Sequence, residues 1–383
     1  MKVLIVLDCF YPNVDGPIEV IVSVAKKFIE KGLGEVELLV PNYPQNQDVE
    51  GLKIHRCFSL PSQSGYRASM PALDQSVKKL IKTGGFDIIH VHSPFTLGKY
   101  VQQLGKKYGI PVVFTMHTKF GDELERRLKS KALVDFVMNY LMGCINECDY
   151  VTTVSKGTVD TLADYGYKHC DDVRVVYNGT SMQPLAANSK RVEELREKYG
   201  LNGVTAFIFA GRLVGVKNVQ FSLQALAEVK KRGYDKFKFL IVGEGEYGKI
   251  LKKLATNLGI AENVIFIGKI SDKNELACHY AACDVLLFPS VFDNASIVIM
   301  EAAANGLPVA TITGTCSAER ISDGKNGFVW DNDLEVWTDN IIKLLNDPDA
   351  VSLAADGAVK DVYLGWDDIA EEYLQIYKQL LNK

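Results

Sequence analysis

Short apolar runs recur along the chain, and most lead through a turn-rich loop into a segment of helical spacing. The first covers residues 2–7, stops at Asp8, and passes through the loop 8–17 to a helix expected from about Ile18 to Lys31. Further runs lie at 36–40, 52–56, 86–92, 111–117 and 148–155. A second series begins at 206–210 and continues at 237–242, 264–268, 284–288 and 308–313. Apolar runs of this length, bounded by Gly and Pro, read as buried parallel strands. Strand, loop and helix in alternation predict a doubly wound α/β architecture, built twice. The polar stretch between the two series sets the expected division: a first domain over 1–183, a linker over 184–203 and a second domain over 204–365. A last helix over 366–383 carries the stripe Ile369, Tyr373, Ile376 and Leu380, which is expected to pack back on the first domain. Residues 58–70 are polar and read as an irregular, acceptor-side loop.

Length agrees with the pattern, since 383 residues exceed what one core usually supports. A hydrophobic fraction of 47%, a charged fraction of 23% and a net charge of −4 describe a soluble globular chain with no general affinity for nucleic acid. No run of 18 apolar residues occurs, and the opening run is too short for a signal peptide. The eight cysteines lack metal-ligand spacing and read as free thiols, which fits a cytoplasmic, reducing compartment.

The candidate chemistry lies at strand ends, where open α/β sheets bind ligands. In the first half His90, His92 and His117 each close an apolar run, and Gly16 sits in the loop after the first strand. A strand-end histidine is more often structural, and a turn glycine can be only a turn. In the second half the run 206–210 leads to Gly211 and Arg212, with Lys217 five residues on. A guanidinium fork and a compact ammonium beside a helix start suit a phosphate group. Gly243-Glu-Gly245-Glu-Tyr-Gly248 is a G-x-G-x-x-G string after a strand, but no ribose-binding acid ends the next strand, so a nicotinamide site is disfavoured. After Phe288 come Pro289, Ser290, the acid Asp293, and a helix expected from Ser296 to Asn305 that holds a second acid, Glu301. Backbone N–H groups at Ala295, Ser296 and Ile297 would open the mouth of that helix to an anion.

The segment from Asp293 to Glu301 resembles the acid-x7-acid signature of retaining family 4 glycosyltransferases of the GT-B fold. Asp293 stands where that family usually has Glu, and Asn294 and Ser296 stand where it often has glycine. Phe114-Thr-Met-His-Thr118, Val173–Gly179, Gly211–Asn218 and Glu319–Phe328 resemble further family segments, in the family's order. The resemblance implies two Rossmann-like doubly wound parallel-sheet domains facing across a cleft. It implies transfer of a sugar from a nucleotide-sugar donor with retention of configuration, without a metal or other cofactor. Arg212, Lys217, His117 and Asp293 would carry the chemistry, the two cations stabilising the leaving diphosphate and His117 positioning the sugar. Gly16, Gly211, Gly243, Ile270, Asn294, Ala295, Ser296, Ile297 and Glu301 would line the donor, Glu301 holding the ribose hydroxyls. A UDP-glucose-type donor and a glycolipid, polysaccharide or other envelope acceptor are the expected substrates. A nucleotide-sugar epimerase of the same fold and a non-catalytic nucleotide-sugar-binding module stay open as alternatives.

Residues 119–141 mix Lys119, Arg126, Arg127, Lys129 and Lys131 with Asp122, Glu123 and Glu125. Leu133, Phe136, Val137, Tyr140 and Leu141 then recur at helical spacing. The stretch reads either as a solvated helix packed on its own domain or as a peripheral contact with the inner face of the plasma membrane. Asp331-Asn-Asp333 is a D-x-D string in a late turn and reads as incidental.

Overall fold

Leu4, Ile5 and Val6 are each at most 3% exposed, so the first strand, β1 (Lys2–Val6), is covered on both faces, as a central parallel strand must be. The computed structural model describes residues 1–13, 16–62, 65–185 and 189–382, apart from the side chains of Arg126 and Arg127. Val14 and Asp15 of the first loop, Gln63 and Ser64 of the stretch 58–70, residues 186–188 of the stretch 184–203, and Lys383 lie outside the described residues, as do those two arginine side chains.

The chain forms two units, Met1–Asn178 with Trp366–Lys383, and Gly179–Gly365. In the first, β1 continues into β2 (Glu35–Pro41) and β3 (Lys53–Cys57), a hairpin of β4 (Ser59–Pro61) and β5 (Arg67–Ser69), then β6 (Ile88–Val91), β7 (Val112–Met116), β8 (Tyr150–Thr153) and β9 (Arg174–Val175). Seven of these make one parallel sheet in the order β3-β2-β1-β6-β7-β8-β9. Helix Gly16–Glu30 buries Ile18, Val20, Ile21, Val24, Ala25 and Phe28, and helix Trp366–Leu381 packs along it. Phe28 meets the Tyr377 ring, and Lys31 pairs with Glu371 at 2.6 Å.

The second unit repeats the plan with β10 (Thr205–Ala210), β11 (Phe237–Val242), β12 (Val264–Gly268), β13 (Val285–Phe288), β14 (Val309–Ile312) and β15 (Phe328–Trp330). Its parallel order is β12-β11-β10-β13-β14-β15. In each sheet the order reverses direction beside the first strand, between β1 and β6 and between β10 and β13. Crossover helices leave such a point on opposite faces, so the loops there stand apart and leave room for a ligand.

Three segments differ from the reading of the sequence. The stretch 58–70 is not wholly irregular, because β4 and β5 pair antiparallel and Arg67 clamps them, donating to the Ser59 carbonyl at 2.6 Å and the Asn42 carbonyl at 3.2 Å. The stretch 184–203, expected as a polar linker, packs on the second unit. Its helix Lys190–Tyr199 buries Val192 and Leu195 in the second unit's core, and Arg191 forks onto Glu275 at 2.7 and 3.0 Å. Two apolar positions three apart suffice to seat one short polar helix. The stripe over 133–141 belongs to helix Lys131–Ile145, and it splits: Leu141 is buried, whereas Leu133, Phe136 and Tyr140 are 45%, 70% and 39% exposed.

Candidate functional site

In the second unit three neighbouring strands end side by side. Parallel register sets Ala210 of β10 beside Val242 of β11, and Ile208 beside Leu286 of β13. The loops 211–218, 243–248 and 289–296 therefore leave one edge of the sheet together. Their packing explains the glycines. Gly211 donates its N–H to the Val242 carbonyl at 3.0 Å, and Leu213 donates to the Glu244 carbonyl at 2.9 Å. A Cβ on Gly243 would stand 1.9 Å from the Gly211 carbonyl oxygen, and Gly243 has φ +135°. So Gly243 is needed where one loop crosses the other, which accounts for a G-x-G string in this place without a dinucleotide.

Ser290, fully buried, donates to the Val216 carbonyl or the Phe292 carbonyl, each at 3.3 Å, and so ties the first loop to the third. That tie brings Lys217 to Asp293, and the two side chains form an ion pair at 17% and 14% exposure. The Lys217 ammonium also lies 5.1 Å from the centre of the Phe288 ring, over β13. Arg212 is exposed and makes no ion pair with a described residue. Helix Ile297–Ala304 begins after Ser296, whose side chain makes no capping bond to it. Asn294, Ala295, Ser296 and Ile297 are half-buried at its mouth. Glu301 lies inside the helix, 8% exposed, and accepts from the Tyr280 hydroxyl at 3.3 Å. Residues 294–296 are not helical, so Asp293 and Glu301 do not stack on one continuous face: one turns to Lys217 and the other to Tyr280. Ile270 follows β12, half-buried against the same core. Asp333 of the D-x-D string caps helix Leu334–Asn346, accepting from the N–H groups of Glu335 and Val336 at 2.9 and 3.0 Å.

In the first unit the three strand-end histidines converge. His90 links the Tyr377 hydroxyl at 2.6 Å to Thr115 Oγ1 at 2.7 Å. His92 Nδ1 lies 2.8 Å from His117 Nε2, its ring stacks on His117 at 5.1 Å between centres, and the His90 ring lies tilted against it at 4.0 Å. Burial dominates their acidity: it pushes His90 down to about 3, His117 to about 4 and His92 well below the usual histidine range. All three imidazoles are neutral near pH 7. Gly16 opens helix Gly16–Glu30, and a Cβ there would meet nothing within 4 Å, so packing does not explain its glycine.

Sequence reasoning missed Asp8. It follows β1, and its carboxylate accepts from the Leu97 and Gly98 N–H groups at 2.8 and 3.1 Å, at the start of helix Thr96–Tyr108. Burial raises Asp8 to about 6 despite these bonds. No local signal marks it, because the helix it caps begins almost ninety residues later.

A family model described as Glycosyltransferase Family 4 matches residues 14–183, and one described as Glycosyl transferases group 1 matches residues 191–358. The chain is 28% identical to alpha-monoglucosyldiacylglycerol synthase of Streptococcus pneumoniae, over 86% of this chain and 75% of that protein. It is 24% identical to the Acholeplasma laidlawii protein of the same name, over 100% of this chain and 98% of that one. Among solved structures, Anabaena HepE in complex with UDP superposes with a TM-score of 0.78 at 18% identity, over 99% of this chain and 100% of that chain. The two family models follow one another along nearly the whole chain, and each falls on one doubly wound unit. The chain is an enzyme of glycosyltransferase family 4, with the GT-B fold.

Proposed function

We propose that the protein moves a hexose from a UDP-glucose-type donor to a glycolipid or other envelope acceptor, with retention of configuration and without a metal ion. The observation that carries this reading is the Lys217–Asp293 pair with Glu301 on the following helix. Two cations and a helix mouth suit a diphosphate, and a buried carboxylate beside them suits paired hydroxyls. Arg212 and Lys217 take up the charge that develops on the departing diphosphate, the electrostatic contribution that usually dominates such reactions. Gly211, Gly243 and the 294–297 mouth admit the phosphates closely, Ile270 flanks the base, and Glu301 holds the ribose. In the first unit His117 positions the transferred sugar, and Gly16 leaves room for donor or acceptor. No side chain is assigned as a nucleophile, so the leaving phosphate takes the acceptor proton on the same face.

The donor is supported by HepE, whose structures contain UDP, UDP-glucose, or UDP and glucose. A lipid acceptor is supported by the two synthases, named for a glucosylated diacylglycerol. It is supported also by the outward stripe of Leu133, Phe136 and Tyr140, beside exposed Lys129 and Lys131, which suits peripheral contact with an anionic bilayer. Among the described residues no helix is long and apolar enough to cross a membrane.

The test is nucleotide release from UDP-, GDP- and ADP-sugars, with and without chelator, and with diacylglycerol or monoglucosyldiacylglycerol as acceptor. Chelator-insensitive release from one donor, abolished in Lys217→Ala, is the expected result. Release that requires a divalent metal, or donor binding without turnover with any acceptor, would overturn it.

A further inference from the structure

His92 has one hydrogen-bonded nitrogen and one that is not. Its Nδ1 faces His117 Nε2 at 2.8 Å, while its Nε2 is buried without a partner. His92 is 5% exposed and its ring lies 4.0 Å from that of His90 between centres, so water does not reach that nitrogen freely. Burial keeps both members of the His92–His117 pair neutral, so a single proton lies between Nδ1 of one and Nε2 of the other.

Two arrangements are possible. If His117 Nε2 donates, His92 must carry its own proton on Nε2, which leaves a buried N–H with nothing to accept it. If His92 Nδ1 donates, the orphaned Nε2 is a bare lone pair. Buried N–H groups without acceptors are the rarer and costlier defect. The second arrangement therefore prevails, and it fixes the other ring. His117 accepts at Nε2 and, being neutral, carries its proton on Nδ1.

We infer that His92 is a positioning residue that fixes His117 as the Nδ1–H tautomer, so that His117 meets the donor as a neutral hydrogen-bond donor and not as a base. The group it meets is an oxygen that accepts: a sugar hydroxyl oxygen or a phosphate oxygen. Where the strand-end string His90-Val-His92 supplies one histidine to the Tyr377–Thr115 network, it supplies the other to orient His117. The second part of this inference rests on the role proposed above for His117; the tautomer does not.

The test begins with the unaltered full-length protein, labelled with 15N in its six histidines. Long-range 15N–1H correlation at pH 7, with peaks assigned through single substitutions, reads the tautomer directly. A protonated Nδ1 and a bare Nε2 on His117 are expected; a proton on Nε2 would overturn the proposal without any variant having to fold. His92→Asn keeps a side-chain N–H near the place of Nδ1, and His92→Leu removes it. Both should unfold cooperatively by calorimetry, and the Asn variant should keep turnover within about threefold. The Leu variant should lose at least about tenfold in kcat with a smaller change in donor KM, since it removes orientation and not donor contact. Equal losses in the Asn and Leu variants would indicate a packing role and overturn positioning by hydrogen bond. A wild-type Nδ1–H tautomer with full turnover in both His92→Leu and His117→Ala would overturn the role given to His117 and leave the tautomer standing, which separates the two failures.

Discussion

Lys217 cannot serve Asp293 and a phosphate fully at once, and this makes a sharp prediction. In the unliganded chain the ammonium is paired with the carboxylate at 17% and 14% exposure. At contact distance two unit charges attract by about 4 kcal/mol with an effective dielectric near 20. Solvent at both groups lowers the net value, since exposed pairs give about 0–1 kcal/mol and breaking a buried pair costs about 3–5 kcal/mol. A coupling of about 1–2 kcal/mol follows for this intermediate case. A nucleoside diphosphate must overcome that coupling to recruit Lys217, and it also meets the negative charge of Asp293. Asp293→Asn removes both obstacles with little change in shape. It should tighten UDP, GDP or ADP, whichever the enzyme takes, by about 5- to 30-fold. Lys217→Ala should weaken the same nucleotide by about tenfold or more. Turnover of the nucleotide sugar should fall in both variants, in Asp293→Asn because a hydroxyl-binding carboxylate is lost and the diphosphate product leaves more slowly. Isothermal titration of the three diphosphates into the full-length protein and both variants measures this directly. If Asp293→Asn weakens the diphosphate as much as Lys217→Ala does, the carboxylate supports phosphate binding instead of competing with it, and the reasoning fails.

Three further outcomes are expected. Glu37 is buried, which alone would raise its pKa, but bonds from His55, Lys2 and Lys53 outweigh burial and hold it at about 2. A depressed carboxylate stabilises the fold above its unfolded value near 4.5 and loses that contribution as pH falls towards 2. The shift sets a ceiling of about 3 kcal/mol, and screening lowers it to about 1–2 kcal/mol. The stability gap between wild type and Glu37→Gln, read by chemical denaturation, should therefore be full at pH 6 and shrink towards pH 2; a gap that widens in acid would contradict it. Gly243→Ala would place a methyl 1.9 Å from the Gly211 carbonyl at φ +135°, so it should displace the 211–218 loop, cost about 2–4 kcal/mol and weaken donor binding by calorimetry. Phe136→Ser, at a position 70% exposed, should change stability by less than about 0.5 kcal/mol yet reduce co-sedimentation with anionic vesicles; unchanged co-sedimentation would remove the support that the apolar stripe gives to a membrane contact.

What could be read in the sequence was what neighbours in sequence decide. The parallel strands, the helix after Ser296 and the strand-end placement of His90, His92 and His117 all follow from local pattern. The hairpin of β4 and β5 escaped because Arg67 clamps it to the carbonyls of Ser59 and Asn42, a contact that alternation of polar and apolar residues does not reveal. The membership of helix Lys190–Tyr199 in the second unit escaped because a polar composition hides the two residues that anchor it.

The pairings that make the site were illegible for a topological reason. Lys217 follows β10 and Asp293 follows β13, and two whole strands lie between them in the chain. They meet because β10 and β13 are neighbours at the point where the sheet reverses its order. The same holds for Asp8 and Leu97, which follow β1 and β6 at the matching reversal in the first sheet. A doubly wound sheet thus turns two distant strand ends into one edge, and local pattern reveals each end without its partner. The residues that stand at these two reversals are those whose burial and pairing a plain strand–loop–helix unit does not require. In one unit a carboxylate holds a lysine that a phosphate would have to recruit, and in the other a neutral histidine pair keeps one orphaned nitrogen, which costs free energy in the unliganded chain. Such a cost is tolerated where a ligand offsets it, which is why diphosphate binding by the Lys217 and Asp293 variants and the tautomer of His117 bear on function more directly than any residue the core alone explains.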